Sequence, residues 1–475
     1  MKRFLYVGAV LCQVILWSAC GDVFRPIIIP NPPKFPNPAA AHSVFIASNN
    51  GTVTGGVETP VIGSAMSIDV SGDTEMSQKS LGLVPVHAVQ QTSNQIIVAN
   101  QSAPGADQDS LTRVTFSGTS ISTVTTISLP TGSAPNFVAT TESGHVYVSA
   151  PGNTLPELLQ PAILVIDTTR STLTHTIPVG ANPVAIAETP DTKKLYVASY
   201  GSATIGTFNT QDQTSRGVSS QPTSAPIWLA ARNDSQRVFI LEANGTLAYL
   251  DTTTTSGPDT LYETSISVPG AHNFWYDVIL NRIYIPGNGS LNIIDVSQAA
   301  PATLASLPIA TVLGSRSPTD PCATTTPGPL NIIAATSLPD ATRAYVGSYY
   351  IDSADNVCPQ VTVVNATNFT LKTTIPVPGF PDAANPANAT YYVPTCAATR
   401  DQVGPTGNGF RLMMASGGDS TRAYLSSCDG GNINIIRTDT DTYYFDLPAP
   451  FSARSPIPPS SENPPQNPVF MIAGP

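Results

Sequence analysis

One pattern of apolar and polar positions returns eight times along the chain: an apolar residue, an aromatic or β-branched one, another apolar one, then small or polar residues. It reads VFIASN at 44–49, IIVANQ at 96–101, VYVSAP at 146–151 and LYVASY at 195–200, then VFILEA at 238–243, IYIPGN at 283–288, AYVGSY at 344–349 and AYLSSC at 423–428. Short runs that stay apolar and end in turn residues predict strands buried on both faces. Each copy has strand-like neighbours. An apolar strand and a polar turn precede it, as in NPVAIAETPDTKK (182–194). A second apolar run follows, such as ILVIDTT (163–169), LAYLDTT (247–253) or LNIIDVS (291–297), and then a fourth strand, such as LTHTIPVG (173–180). No stretch carries helical periodicity.

Four strands per unit in meander order make the blade of a propeller. The fold class expected is therefore all-β: a single β-propeller of four-stranded antiparallel blades, eight by the count of inner strands, with seven as the alternative. The chain ends bear on closure. Blade one starts at its second strand, VFIASN, with no inner strand before it, whereas NPVFMIA at 467–473 matches the inner strand NPVAIA at 182–187. A C-terminal strand that closes the ring would leave no open inner edge in blade one.

The units resemble the YVTN family of β-propeller repeats, whose consensus is a proline-led inner strand, a PDG-type turn, a YVTN-like strand and a VxVID strand. The nearest copy is NPVAIAETPDTKKLYVASYGSATIGTFNT at 182–210, and the resemblance extends over nearly all of 43–473. YVTN itself never occurs, and the turn is reduced to Pro190-Asp191-Thr192 or Pro339-Asp340-Ala341. The resemblance implies a cell-surface module. It also brings in an alternative, since lactonase-type propellers share the repeat.

Composition agrees with a β-rich, turn-rich chain: 11% charged residues, with 34 Gly and 45 Pro serving as punctuation. The net charge of −11 comes without any basic run, so no nucleic-acid partner is expected.

The N-terminus reads as an export signal. Lys2 and Arg3 precede an apolar stretch from Phe4 to Trp17, the length of a signal-peptide core and too short to span a membrane. Trp17-Ser18-Ala19-Cys20 resembles the lipobox of bacterial lipoproteins, with Trp17 where that family carries Leu. The expected organisation is a signal peptide over 1–19, a Pro-rich tether over 20–42 from a lipidated Cys20, and the propeller over 43–475. Acylation of Cys20 would anchor a monomer to the bacterial envelope, at the outer membrane or cell surface rather than the inner membrane.

Four cysteines remain in the last two blades, and equivalent loop positions favour the pairs Cys322–Cys358 and Cys396–Cys428. Zinc is not expected, because no CxxC or nearby His accompanies them. Asp107 and Asp109, and Asp352 with Asp355 and Asn356, fall in loops between second and third strands; their carboxylates read as solvated turn groups, with weak calcium binding as the alternative.

Enzymatic constellations are scarce. The five histidines (His42, His87, His145, His175, His272) sit in no metal-ligand spacing, and no GxSxG is present. Neither a cofactor nor a catalytic residue is expected. At the position two after the leading proline, or its equivalent, the inner strands carry His87, Phe137, Ala185, Trp228, Phe274, Asn331, Arg411 and Phe470. These side chains either pack between blades or line the channel. Lining it, His87, Phe137, Trp228, Phe274 and Arg411 would suit a sugar or small polar ligand. The insertions at about 314–328 and 378–408 offer Phe380, Tyr391 and Tyr392 as aromatic anchors. Rigid discs with loops gathered on two faces suit binding. The function expected is a non-catalytic module for a protein or polysaccharide. The alternative is a lactonase-like enzyme using His87, His272, Asp277 and Arg411.

Overall fold

Blade two shows how the pattern becomes structure. Pro85–Thr92, Gln95–Asn100, Ser110–Ser117 and Ser120–Ser128 pair in order as an antiparallel meander, from the centre of the ring outward. Its second strand is buried on both faces, which is why Ile96 to Ala99 are apolar in succession rather than alternating. The computed structural model describes residues 42–474, except 55–56, 103–107, 141–143, 152–159, 313–315, 383–410, 429 and 450–465. These residues belong to the unit Phe35–Pro475 and form eight antiparallel sheets, with no helix. The all-β, eight-bladed expectation holds.

Two blades depart from four strands. Blade four has three: Pro183–Glu188, Lys194–Ser199 and Thr204–Asn209. In place of a fourth strand, residues beyond Asn209 turn back, and Arg216 N–H donates to the Thr207 carbonyl at 2.8 Å. The chain then crosses to blade five through a parallel bridge between Val218 and Asp259. Blade seven has a fifth strand, Phe380–Pro381, which pairs with Asn356–Asn365.

Closure follows the sequence expectation. Ser43–Thr54 pairs with the C-terminal strand Gln466–Gly474, with Val44 opposite Ala473 and Ala47 opposite Phe470.

The outer strands are the exposed edges, and they share a device. In six blades the pairing of the fourth strand skips one residue at the same place: Met76, Ser122, Thr174, Leu304, Lys372 and Tyr444. Such bulges bend an edge strand and blunt its use as a template for another strand.

Seams between blades are held by a cation and a tyrosine two residues apart on the second strand, hence on one face. Lys194 and Tyr196 of blade four both reach Asp259 of blade five, at 2.8 Å and 2.7 Å. Arg343 and Tyr345 of blade seven both reach Asp441 in the 3–4 turn of blade eight, at 3.1 Å and 2.7 Å. The backbone contributes too. Arg113, Lys194 and Arg282 donate to the carbonyls of Thr168, Thr252 and Ala366 at 2.5, 2.6 and 2.5 Å, each just past a third strand of the next blade.

Candidate functional site

The centre of the ring is built by a bulge on the inner strands. In five blades the register between first and second strand skips one residue: Val86, Val184, Ile227, Ile333 and Val469. A bulge re-aims the side chain that follows it, here His87, Ala185, Trp228, Ala334 and Phe470.

Ring contacts show where that position points. His87 of blade two stacks on Phe137 of blade three with centroids 3.9 Å apart, and lies 4.4 Å from Phe470 of the closing strand. Phe137 in turn meets Trp228 of blade five edge-on at 5.6 Å. Blade four lies between those two and contributes only Ala185, so the contact runs across the centre. Trp228 also packs against the cluster that contains Ala88 and Phe470. Side chains from blades one, two, three and five thus fill their side of the axis. These aromatics pack in the core clusters of neighbouring blades and meet one another toward the axis.

By register the same position in blade eight is Met413, opposite Ser426. In blade six it is Asn273, two residues before Trp275, which pairs with Tyr284. Trp228, Asn273 and Met413 are the half-buried members. The free backbone edges of inner strands are partly met by axial side chains. His87 Nδ1 accepts from Val138 N–H at 3.4 Å, and Asn273 Nδ2 donates to the Ile333 carbonyl at 3.1 Å.

Three sequence assignments to this position are corrected. Phe274 is 4% exposed and belongs to a cluster with Phe239 and Ile285, between blades five and six. Asn331 is exposed and lies opposite Tyr349, three residues short of the axial Ala334. Arg411 is buried, pairs with Asp382 at 2.5 Å and lies over the Tyr349 ring at 4.8 Å. Blades six to eight lack a proline at the start of the inner strand, so counting two residues on from a presumed equivalent began in the wrong place.

The electrostatics at the centre favour neutral groups. Burial pulls the His87 pKa down to about 3, which keeps the imidazole uncharged at neutral pH. Burial also lowers the His272 pKa and raises that of Asp277. Asp277 accepts the N–H groups of Ile279 and Leu280 at 2.9 Å and 3.0 Å, so it organises a turn.

The insertion before blade seven is pinned from several sides. Cys322 and Cys358 are disulfide-bonded, with Cα atoms 5.9 Å apart. Arg316 donates to the carbonyls of Val377 and Pro359 at 2.6 Å and 2.9 Å. Asp320 accepts from Cys322 N–H at 2.8 Å. Asp352 comes within 4.8 Å of both sulfurs, but the bridge occupies them, and Asp352 accepts the N–H groups of Ala354 and Asn356 at 2.9 Å and 2.8 Å. Asp109 is likewise a turn acid, accepting from Ser102 and Ala134 N–H at 2.8 Å and 2.9 Å.

Phe380 is corrected as an exposed anchor. It is 1% exposed and packs in a cluster with Val357 and Leu412. Tyr391, Tyr392 and Cys396 lie outside the described residues, as do Cys20 and Asp107. Cys428 is disulfide-bonded.

No family model matches the sequence, and no curated protein matches it. Among solved structures the chain is similar to hydrazine synthase of Kuenenia stuttgartiensis, at 13% identity and a TM-score of 0.44, over 66% of this chain and 87% of that one. It is also similar to a functionally unknown protein of Desulfotomaculum acetoxidans, at 10% identity and 0.43, over 86% and 95%. A third is the β-propeller domain of Cps50 (Swd1) from Myceliophteria thermophila, at 11% and 0.40, over 68% and 88%.

Proposed function

We propose that the chain is an exported, lipid-anchored β-propeller of YVTN type that acts as a non-catalytic binding module at the bacterial envelope, with a protein or polysaccharide as its ligand. The observation that carries this reading is the state of three of the four groups that a catalytic alternative would use: His87, Arg411 and Asp277. Burial disfavours a charged His87, which stacks on Phe137 and lies 4.4 Å from Phe470. Arg411 is committed to Asp382, and Asp277 to turn amides. Acid–base chemistry needs a group free to exchange protons near the working pH, whereas the pinned loops before blade seven suit a surface that binds without paying much ordering entropy. Attachment through Cys20, with the Pro-rich stretch 20–42 as a semi-stiff spacer, would hold the folded body off the membrane surface.

The test has two arms. Replacing Cys20 by Ser should move the protein from the membrane fraction to the soluble exported fraction, and unchanged membrane association removes the anchor. The intact protein should be retained on isolated cell-wall polysaccharide or on envelope proteins, and should turn over no γ- or δ-lactone. Lactone hydrolysis that disappears in His87→Gln or Asp277→Asn would replace binding with the lactonase-like alternative.

A further inference from the structure

The loop leading into blade five brings two carboxylates together away from any basic side chain. Glu242 ends the second strand, Arg237–Glu242, and Glu263 lies on the fourth, Thr260–Ser267. Both reach Thr223. Its Oγ1 donates to Glu242 Oε2 at 3.1 Å, and its N–H donates to Glu263 Oε1 at 3.0 Å. Ser224 N–H gives Glu242 Oε2 a second bond at 3.0 Å.

The other oxygen of Glu242 is the informative atom. Glu242 is 0% exposed, and its Oε1 has no hydrogen-bond partner. Glu263 lies within hydrogen-bond reach of the Glu242 carboxyl, where two ionised groups repel. The basic side chains of these blades are engaged elsewhere: Lys193 with Asp191, Lys194 and Arg216 with Asp259, Arg232 with Asp234, Arg237 with Asp251. A buried, unpartnered carboxylate oxygen is costly, so something positive belongs between the pair.

We propose that Glu242 and Glu263 form a binding site for one hard divalent cation, Ca²⁺ or Mg²⁺, with water completing its shell. All-oxygen ligands select this class, and sites with two carboxylates commonly keep several waters. A proton is the competitor. Burial, then the hydrogen bond and charge of Glu263, push the Glu242 pKa up to about 7, against the pull of Thr223 and Ser224. The cation would therefore bind best above neutrality. It would clamp the loop carrying Thr223 at the seam where blade four lacks its outer strand.

Calorimetric titration of the intact protein with CaCl₂ and with MgCl₂, at pH 8 and pH 5.5, tests the site. One binding event per chain is expected at pH 8, weakened roughly tenfold or more at pH 5.5, and lost in Glu242→Gln and in Glu263→Gln. Glu263 is exposed, so Glu263→Gln should fold even if the buried replacement does not. Absence of binding by either cation at pH 8 would leave the pair with a shared proton only and overturn the proposal. Undiminished binding in Glu263→Gln would place the cation elsewhere, with the same consequence.

Discussion

The hydroxyl of Tyr424 donates to Asp73 Oδ1 at 3.2 Å, joining residues 351 apart in the chain. Arg422 Nε binds the other oxygen of Asp73 at 2.7 Å. The last blade is thus locked to the first by the same arrangement that joins blade four to five and seven to eight. The ring closes twice: through the shared sheet of blade one, and through this seam.

Tyr424→Phe should destabilise the protein by about 1.5–3 kcal/mol, the range for a hydrogen bond to a charged group. Asp73→Ala should cost more, because it strands Arg422 as well. In the Asp73→Ala background, Tyr424→Phe should then cost almost nothing. Urea denaturation of the four proteins measures this coupling, and simple additivity would contradict a shared seam.

Phe369→Asp should stabilise. Phe369 holds the turn position in blade seven that Asp73 and Asp441 hold in blades one and eight, with φ of 56° against 51° and 51°. Tyr284, the seam tyrosine of blade six, is left with an unpartnered buried hydroxyl, and Arg282 stacks over the Phe369 ring at 4.9 Å instead. Aspartate adopts positive φ more readily than phenylalanine and would accept from Tyr284, for a net gain of about 1 kcal/mol. A melting temperature equal to or below that of the parent would count against the seam rule.

The contribution of His87 to stability should be lost as pH drops below about 6.5. His87 is held neutral in the fold, with its pKa near 3, while the unfolded chain takes up a proton near its ordinary value of about 6.5. Between those values the unfolded state binds more protons, so stability declines with acid. Glu242 acts in the opposite sense: its raised pKa of about 7 makes stability decline as pH rises from about 4.5 to 7. Between about 4.5 and 6.5 the two slopes oppose, so His87→Phe should expose a decline of stability with rising pH, and Glu242→Gln a decline with acid. Denaturation midpoints across pH 4–8 separate the two, and an unchanged profile in His87→Phe would mean that the imidazole is not the acid-sensitive group.

Deleting residues 466–475 should lower the denaturation midpoint sharply. Val469, Phe470 and Met471 are 0%, 5% and 1% exposed, and burying three such side chains contributes several kcal/mol at about 1.5–3 each. A truncated protein as stable as the parent would show that blade one keeps its core without the closing strand.

The repeats were legible because second and third strands are covered on both faces, which forces apolar runs such as VYVSA and AILVID. Closure was legible because Asn467-Pro468-Val469 repeats Asn182-Pro183-Val184. The axial position was legible where a proline begins the inner strand, as at Pro85, Pro183, Pro226 and Pro468. It was not legible in blades six to eight, because no proline marks where the inner strand begins: Ala271, Ile332 and Arg411 stand two places before the axial residue. Phe380 misled for a related reason. An aromatic residue in an insertion reads as surface until its backbone is seen to add a strand beside Val357. The Glu242–Glu263 pair was hidden because the third strand of the same sheet separates its members in the chain.

Blade four, with three strands, and blade seven, with five, have a consequence for recognition. A wheel of eight interchangeable sectors would offer a docking partner eight equivalent angular settings. One thin sector and one thick sector, three places apart, remove that degeneracy and give the rim a readable orientation.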